Sequence, residues 1–97
     1  MAQVAGNNQF THIASSLGNT LVRQGNGVLH TLVINKLGTA ANTLTIYDGT
    51  SASGSVIAVI DSTVLLISLT YDIQFVTGLF IVSATGVGAD ITVTWQS

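Results

Sequence analysis

The chain has no cysteine and no proline. Without thiols, neither a disulfide framework nor a thiolate metal site can hold the fold, and apolar burial must do so alone. Charge is nearly as scarce. Arg23, Lys36, Asp48, Asp61, Asp72 and Asp90 are the only formal charges, 6% of 97 residues with no glutamate among them, where about 25% is usual for a soluble domain. Two cations cannot line a phosphate backbone, so nucleic acid is not an expected partner. Long apolar runs are also missing: Asp61 and Asp72 interrupt the richest region, 56–82, well short of the roughly 20 residues of a spanning helix. A transmembrane barrel of eight strands, each about 9–11 residues, would consume nearly the whole chain. No basic residue precedes an apolar core at the N-terminus, so a secretory signal is not expected, and the chain reads as soluble.

What is present is 47% hydrophobic residues on a net charge of −2. In one small domain that leaves apolar surface with little polar cover, and part of it is expected to be buried by another chain. Residues 1–9 are small and polar and read as an N-terminal arm, leaving 10–97 as one domain.

The organising stretch is 42–55. Thr43, Thr45 and Tyr47 alternate with Leu44 and Ile46, the two-residue period of a strand with one buried face, and Asp48-Gly49 opens a small-residue loop. Further strands are expected at 10–14, 20–24, 28–36, 56–60, 63–70, 79–84 and 91–96, with a brief extended piece at 73–75. Gly25-Asn26-Gly27 predicts a tight hairpin between the second and third. Strand 28–36 is apolar on both faces, with Val28, His30, Leu32 and Ile34 read as one face, and so belongs in a covered position. In 91–96, Ile91, Val93 and Trp95 face the core while Thr92, Thr94 and Gln96 face water. Residues 64–69 form an uncharged, proline-free window that invites aggregation at an open edge, with Asp61 and Asp72 as gatekeepers. Seven to eight short strands with regular turn signals predict an all-β protein, an antiparallel β-sandwich or jelly roll.

Chemistry is hard to assemble from this inventory. The four aspartates sit at expected strand ends, where the side chain ordinarily bonds its own backbone two residues on. Asp48 is the one candidate for a weak cation or sugar ligand, yet a calcium site gathers several carboxylates and this loop offers one. His12 and His30 lack metal-ligand spacing. No Gly-x-Ser-x-Gly elbow supports a hydrolase built on His30 and a serine, and the glycine-rich turns are not phosphate loops. No enzyme activity, cofactor or metal is expected. Tyr47, Tyr71 and Trp95 read as core or interface anchors before they read as a sugar-stacking platform.

Several runs carry a resemblance: Gly27-Val28-Leu29-His30, Thr43-Leu44-Thr45-Ile46-Tyr47-Asp48-Gly49-Thr50-Ser51, Leu69-Thr70-Tyr71-Asp72, Thr77-Gly78-Leu79 and Ala89-Asp90-Ile91-Thr92-Val93-Thr94. Over most of 20–96 the chain resembles small structural proteins of tailed bacteriophages, notably capsid decoration or cement proteins. That resemblance implies a β-sandwich or jelly-roll protomer, usually trimeric, made in the host cytoplasm and carried on the capsid exterior, where it staples major capsid protein subunits. Related β-rich pieces occur in tails and spikes, so the alternative is a tail, spike or carbohydrate- or receptor-binding module, with Tyr47 and the 48–55 loop at its mouth. The expected contact residues are Val28, His30, Leu32, Thr43, Thr45, Tyr47 and Trp95, with no membrane and no nucleic acid among the partners.

Overall fold

The computed structural model describes residues 9–14, 18–38, 43–61, 68–83 and 89–97. These form eight strands: β1 (Gln9–Ile13), β2 (Asn19–Gln24), β3 (Gly27–Lys36), β4 (Thr43–Asp48), β5 (Ser55–Asp61), β6 (Ser68–Phe75), β7 (Gly78–Ser83) and β8 (Asp90–Gln96). They lie in two antiparallel four-stranded sheets, ordered β1-β8-β3-β6 and β2-β7-β4-β5. The partners nest, β4 with β5, β3 with β6, β2 with β7 and β1 with β8. A long hairpin rolled on itself in this way is the eight-stranded jelly roll. The 43–55 stretch supplies its innermost turn, because among the described strands β4 and β5 are the only consecutive pair that bond to each other.

The core lies between the sheets. Leu29, Leu32, Ile34, Phe75, Ile91, Val93 and Trp95 from the first sheet meet Leu44, Ile46, Ile60, Leu79 and Ile81 from the second. Burying a large apolar side chain contributes about 1.5–3 kcal/mol, so this layer supplies the stability that no disulfide does. As the alternation predicts, Leu44 and Ile46 point inward, as do Ile91, Val93 and Trp95.

Four readings of the sequence change. The Asn26-Gly27 turn is there, but it closes no hairpin: β2 ends in one sheet and β3 begins in the other. The glycines serve a sheet-to-sheet corner. Gly25 has a φ of 104° and donates its N–H to the Thr77 carbonyl at 2.9 Å, while a Cβ on Gly27 would collide with the Gln96 carbonyl and the Phe75 ring. Second, Tyr71-Asp72 does not end a strand. β6 runs through it, and Tyr71 and Asp72 together oppose His30, since Leu29 pairs with Ile73 and Thr31 with Thr70. This is a β-bulge, with Asp72 at a φ of 50°. Third, His30 is also an extra residue relative to β8, where Leu29 pairs with Trp95 and Thr31 with Thr94. The bulge shifts the phase of β3, so Leu29 and Leu32 are both buried, whereas alternation placed Leu32 with Val28. Fourth, Gln9 belongs to β1, opposite Trp95, and not to an arm. The remainder of that arm and most of the 64–69 window lie outside the described residues.

Candidate docking surface

The alternation that buries Leu44 and Ile46 sends Thr43, Thr45 and Tyr47 to the outer face of the second sheet. Strand register sets their neighbours. Tyr47 pairs with Phe80 on one side and Val56 on the other, and Phe80 pairs with Leu21. The result is a cross-sheet row, Leu21, Phe80, Tyr47, Val56. A second row runs Asn19, Val82, Thr45, Val59. The Tyr47 and Phe80 rings lie 6.5 Å apart at 54°, within the range of favourable tilted aromatic pairs. Leu21 is 44% exposed, Val56 56% and Val59 63%. No charged side chain occurs in either row.

The outer face of the first sheet is polar and internally bonded. Its rows run Phe10, Thr94, Thr31, Thr70 and His12, Thr92, Val33, Ser68. The Thr31 and Thr94 hydroxyls lie 2.5 Å apart, and the Thr31 N–H donates to Thr94 Oγ1 at 3.1 Å. Asn35 Nδ2 donates to Asp90 Oδ1 at 3.0 Å and to Thr92 Oγ1 at 2.9 Å, while His12 Nε2 lies 2.6 Å from Asp90 Oδ1. These contacts, led by the Asn35 bond, hold the Asp90 carboxyl below its ordinary pKa.

The seven expected contact residues therefore separate into three places. Thr43, Thr45 and Tyr47 share the apolar outer face. Val28 and His30 lie on the first sheet, His30 with its Nδ1 2.5 Å from Asp72 Oδ1. Leu32 and Trp95 belong to the protomer's own core: Leu32 has no exposed surface, and Trp95 is 8% exposed. The Trp95 ring packs under the Arg23 guanidinium, 5.7 Å from its centroid, and its N–H donates to Thr11 Oγ1 at 3.4 Å. The surface residues that the sequence reading missed are Leu21, Val56, Val59, Phe80 and Val82. Their signal was the two-sided apolar character of 79–84, which becomes legible only when the pairing of β2, β7, β4 and β5 is known.

Asp48 is not a free ligand. Its carboxylate accepts from the N–H groups of Val76 (3.0 Å), Thr77 (2.9 Å) and Gly78 (3.4 Å), which lowers its pKa, with the Thr77 and Val76 bonds the main causes. Nor are these local turn contacts, since the partners lie 28–30 residues away. Asp72 and Asp90 likewise bond distant strands. Among the described residues, no three His, Cys, Asp or Glu side chains gather into a metal site, and no pocket opens. The chain matches no protein-family model and no curated protein in sequence.

Proposed function

We propose that the protein is a non-enzymatic structural component of a bacteriophage particle, a decoration or cement protein that docks on the outer capsid surface and stabilises the head. The observation that carries this reading is the pair of uncharged cross-strand rows on the outer face of the β2-β7-β4-β5 sheet, where Leu21, Phe80, Tyr47 and Val56 adjoin Val82 and Val59. Contiguous apolar surface of this kind marks a protein contact. The resemblance of 43–51 and the flanking strand motifs to phage decoration proteins names the setting, with the major capsid protein and further copies of the chain as partners. Modest burial per protomer becomes firm attachment when linked copies bind together, through effective concentration.

A receptor- or glycan-binding module draws less support. Asp48, the one carboxylate at the mouth of the 48–55 loop, is already taken up by three backbone amides.

Purified phage particles test the reading. Mass spectrometry should find many copies per head, and chemical removal of the protein should lower the head's melting temperature. Tyr47→Asp, added back to stripped heads, should show reduced occupancy. Absence from heads, or glycan-array binding that Tyr47→Ala abolishes, would replace this reading with the receptor-binding one.

A further inference from the structure

Asparagine followed by glycine is among the least durable dipeptides of a protein, because a glycine without a side chain lets its backbone nitrogen reach the asparagine Cγ. Asn26 alone of the asparagines is followed by glycine, and Asp48-Gly49 is the one corresponding aspartate pair. The fold treats the two in opposite ways. The Asp48 carboxylate is held by the amides of Val76, Thr77 and Gly78, and the Gly49 N–H, which would attack it, donates to the Gly78 carbonyl at 3.0 Å. Electrophile and nucleophile are both engaged there. Asn26 instead lies exposed at the corner between the sheets, and its side chain makes no hydrogen bond among the described residues. Gly27 is the first residue of β3 and opposes Phe75, the last residue of the edge strand β6. Terminal rungs of this kind are the first parts of a sheet to open. Arg23 Nε donates to the Asn26 carbonyl oxygen at 3.3 Å, and a guanidinium so placed favours loss of the proton from the nitrogen of that same amide, the nitrogen of Gly27.

We propose that Asn26 is a site of spontaneous covalent modification, at which the Asn26-Gly27 dipeptide, assisted by Arg23, rearranges through a cyclic imide to aspartate and isoaspartate. The Gly27 nitrogen gives its proton to water or hydroxide and bonds to Asn26 Cγ. The Cγ–Nδ2 bond breaks, and the side-chain amide leaves as ammonia after taking up a proton. Water then adds to one of the two imide carbonyls: attack at Cγ opens the ring to aspartate, and attack at the main-chain carbon opens it to isoaspartate. Water is the only co-reactant, and nothing is oxidised or reduced. Either product places a carboxylate close to Arg23, in competition with the Trp95 ring that packs under the guanidinium. Isoaspartate also routes the main chain through an extra methylene just before Gly27, where the Gln96 carbonyl and the Phe75 ring leave no room for a Cβ. The corner thereby records the age of the molecule, since protein that has stood differs from newly made protein by one further negative charge at a fixed place.

Ageing the purified full chain at mildly alkaline pH, followed by peptide mapping with mass spectrometry, tests the proposal. Conversion should concentrate at Asn26, at least tenfold faster than at any other asparagine, with isoaspartate in excess of aspartate. Asp48 should gain isoaspartate only when the protein is unfolded in urea. Arg23→Gln should slow conversion at least threefold in the folded protein and leave the rate in urea unchanged, which separates the effect of the folded corner from that of the bare dipeptide. Asn26→Ser should reduce ammonia release to background. Circular dichroism establishes that each variant is folded. Should Arg23→Gln fail to fold, the wild type decides: the ratio of Asn26 to Asp48 conversion should be larger in the folded protein than in urea. An intact Asn26 after prolonged ageing of the folded protein, a ratio that does not change in urea, or equal rates for the folded wild type and folded Arg23→Gln would overturn the proposal.

Discussion

The Nδ1 atom of His30 lies 2.5 Å from Oδ1 of Asp72, across the bulge where two residues of β6 oppose one of β3. The pair ties an edge strand to a central one at the point where the ladder is interrupted. Asp72 has a φ of 50°, a conformation that aspartate and asparagine tolerate and β-branched residues do not. Asp72→Asn should therefore remain close to wild type, whereas Asp72→Val should lose about 1–3 kcal/mol through backbone strain. Urea unfolding of both variants checks this, with the larger drop in midpoint expected for valine.

Asp48 closes one end of the roll by accepting from the amides of Val76, Thr77 and Gly78. Because the bonds are solvent-exposed, Asp48→Ala should cost on the order of 1 kcal/mol. Its folded-state pKa lies below the ordinary 3.8. A carboxylate depressed in this way stabilises the fold above its unfolded pKa, and the contribution fades as pH falls through the folded value. Urea midpoints should thus decline on acidification below about pH 4, and Asp48→Asn should show a shallower decline, with the part due to Asp90 retained.

Gly27→Ala should be among the most damaging conservative changes in the chain. The added methyl meets the Gln96 backbone carbonyl and the ring of Phe75, which is fully buried, and overpacking of this kind costs about 1–3 kcal/mol. Thermal melts should show a lower transition than for Gly18→Ala, where the new methyl meets nothing within 4 Å.

Leu32 and Val28 separate core from surface on one strand. Leu32→Ala should cost about 2–5 kcal/mol, and Val28→Ala distinctly less, as judged by urea midpoints. Trp95 offers a spectroscopic counterpart: as the sole tryptophan, 8% exposed within the protomer, it should emit at short wavelength at any protein concentration. A red shift on dilution would place it at a copy-to-copy contact instead.

Regular alternation was readable wherever the backbone is regular. β4 and β8 present the faces that their patterns predict, because every second residue points the same way. The pattern failed at bulges, which add a residue that no periodicity announces: His30 moved Leu32 into the core, and Tyr71-Asp72 read as a stop when it is a kink. Local turn chemistry identified Gly25-Asn26-Gly27 as a turn but could not say that the next strand enters the other sheet. The partners of Asp48, Asp72 and Asp90 lay out of reach for the same reason, since each contact depends on topology rather than on neighbours in sequence. The apolar outer face was half visible: Thr43, Thr45 and Tyr47 came from one strand's alternation, but Leu21, Phe80 and Val56 join them only through register across three others.

The nested pairing has a consequence for how the protein comes into being. Among the described strands, only β4 and β5 are neighbours in both sequence and space, so they can associate first as the chain leaves the ribosome, and each later partnership closes a longer loop at a growing entropic cost. β1 waits longest, because β8 is synthesised after every other strand, and Ile91, Val93 and Trp95 complete the core only then. Folding is therefore slow for the chain's size, and during synthesis the apolar strands depend on keeping apart from neighbouring nascent chains until the last of them arrives.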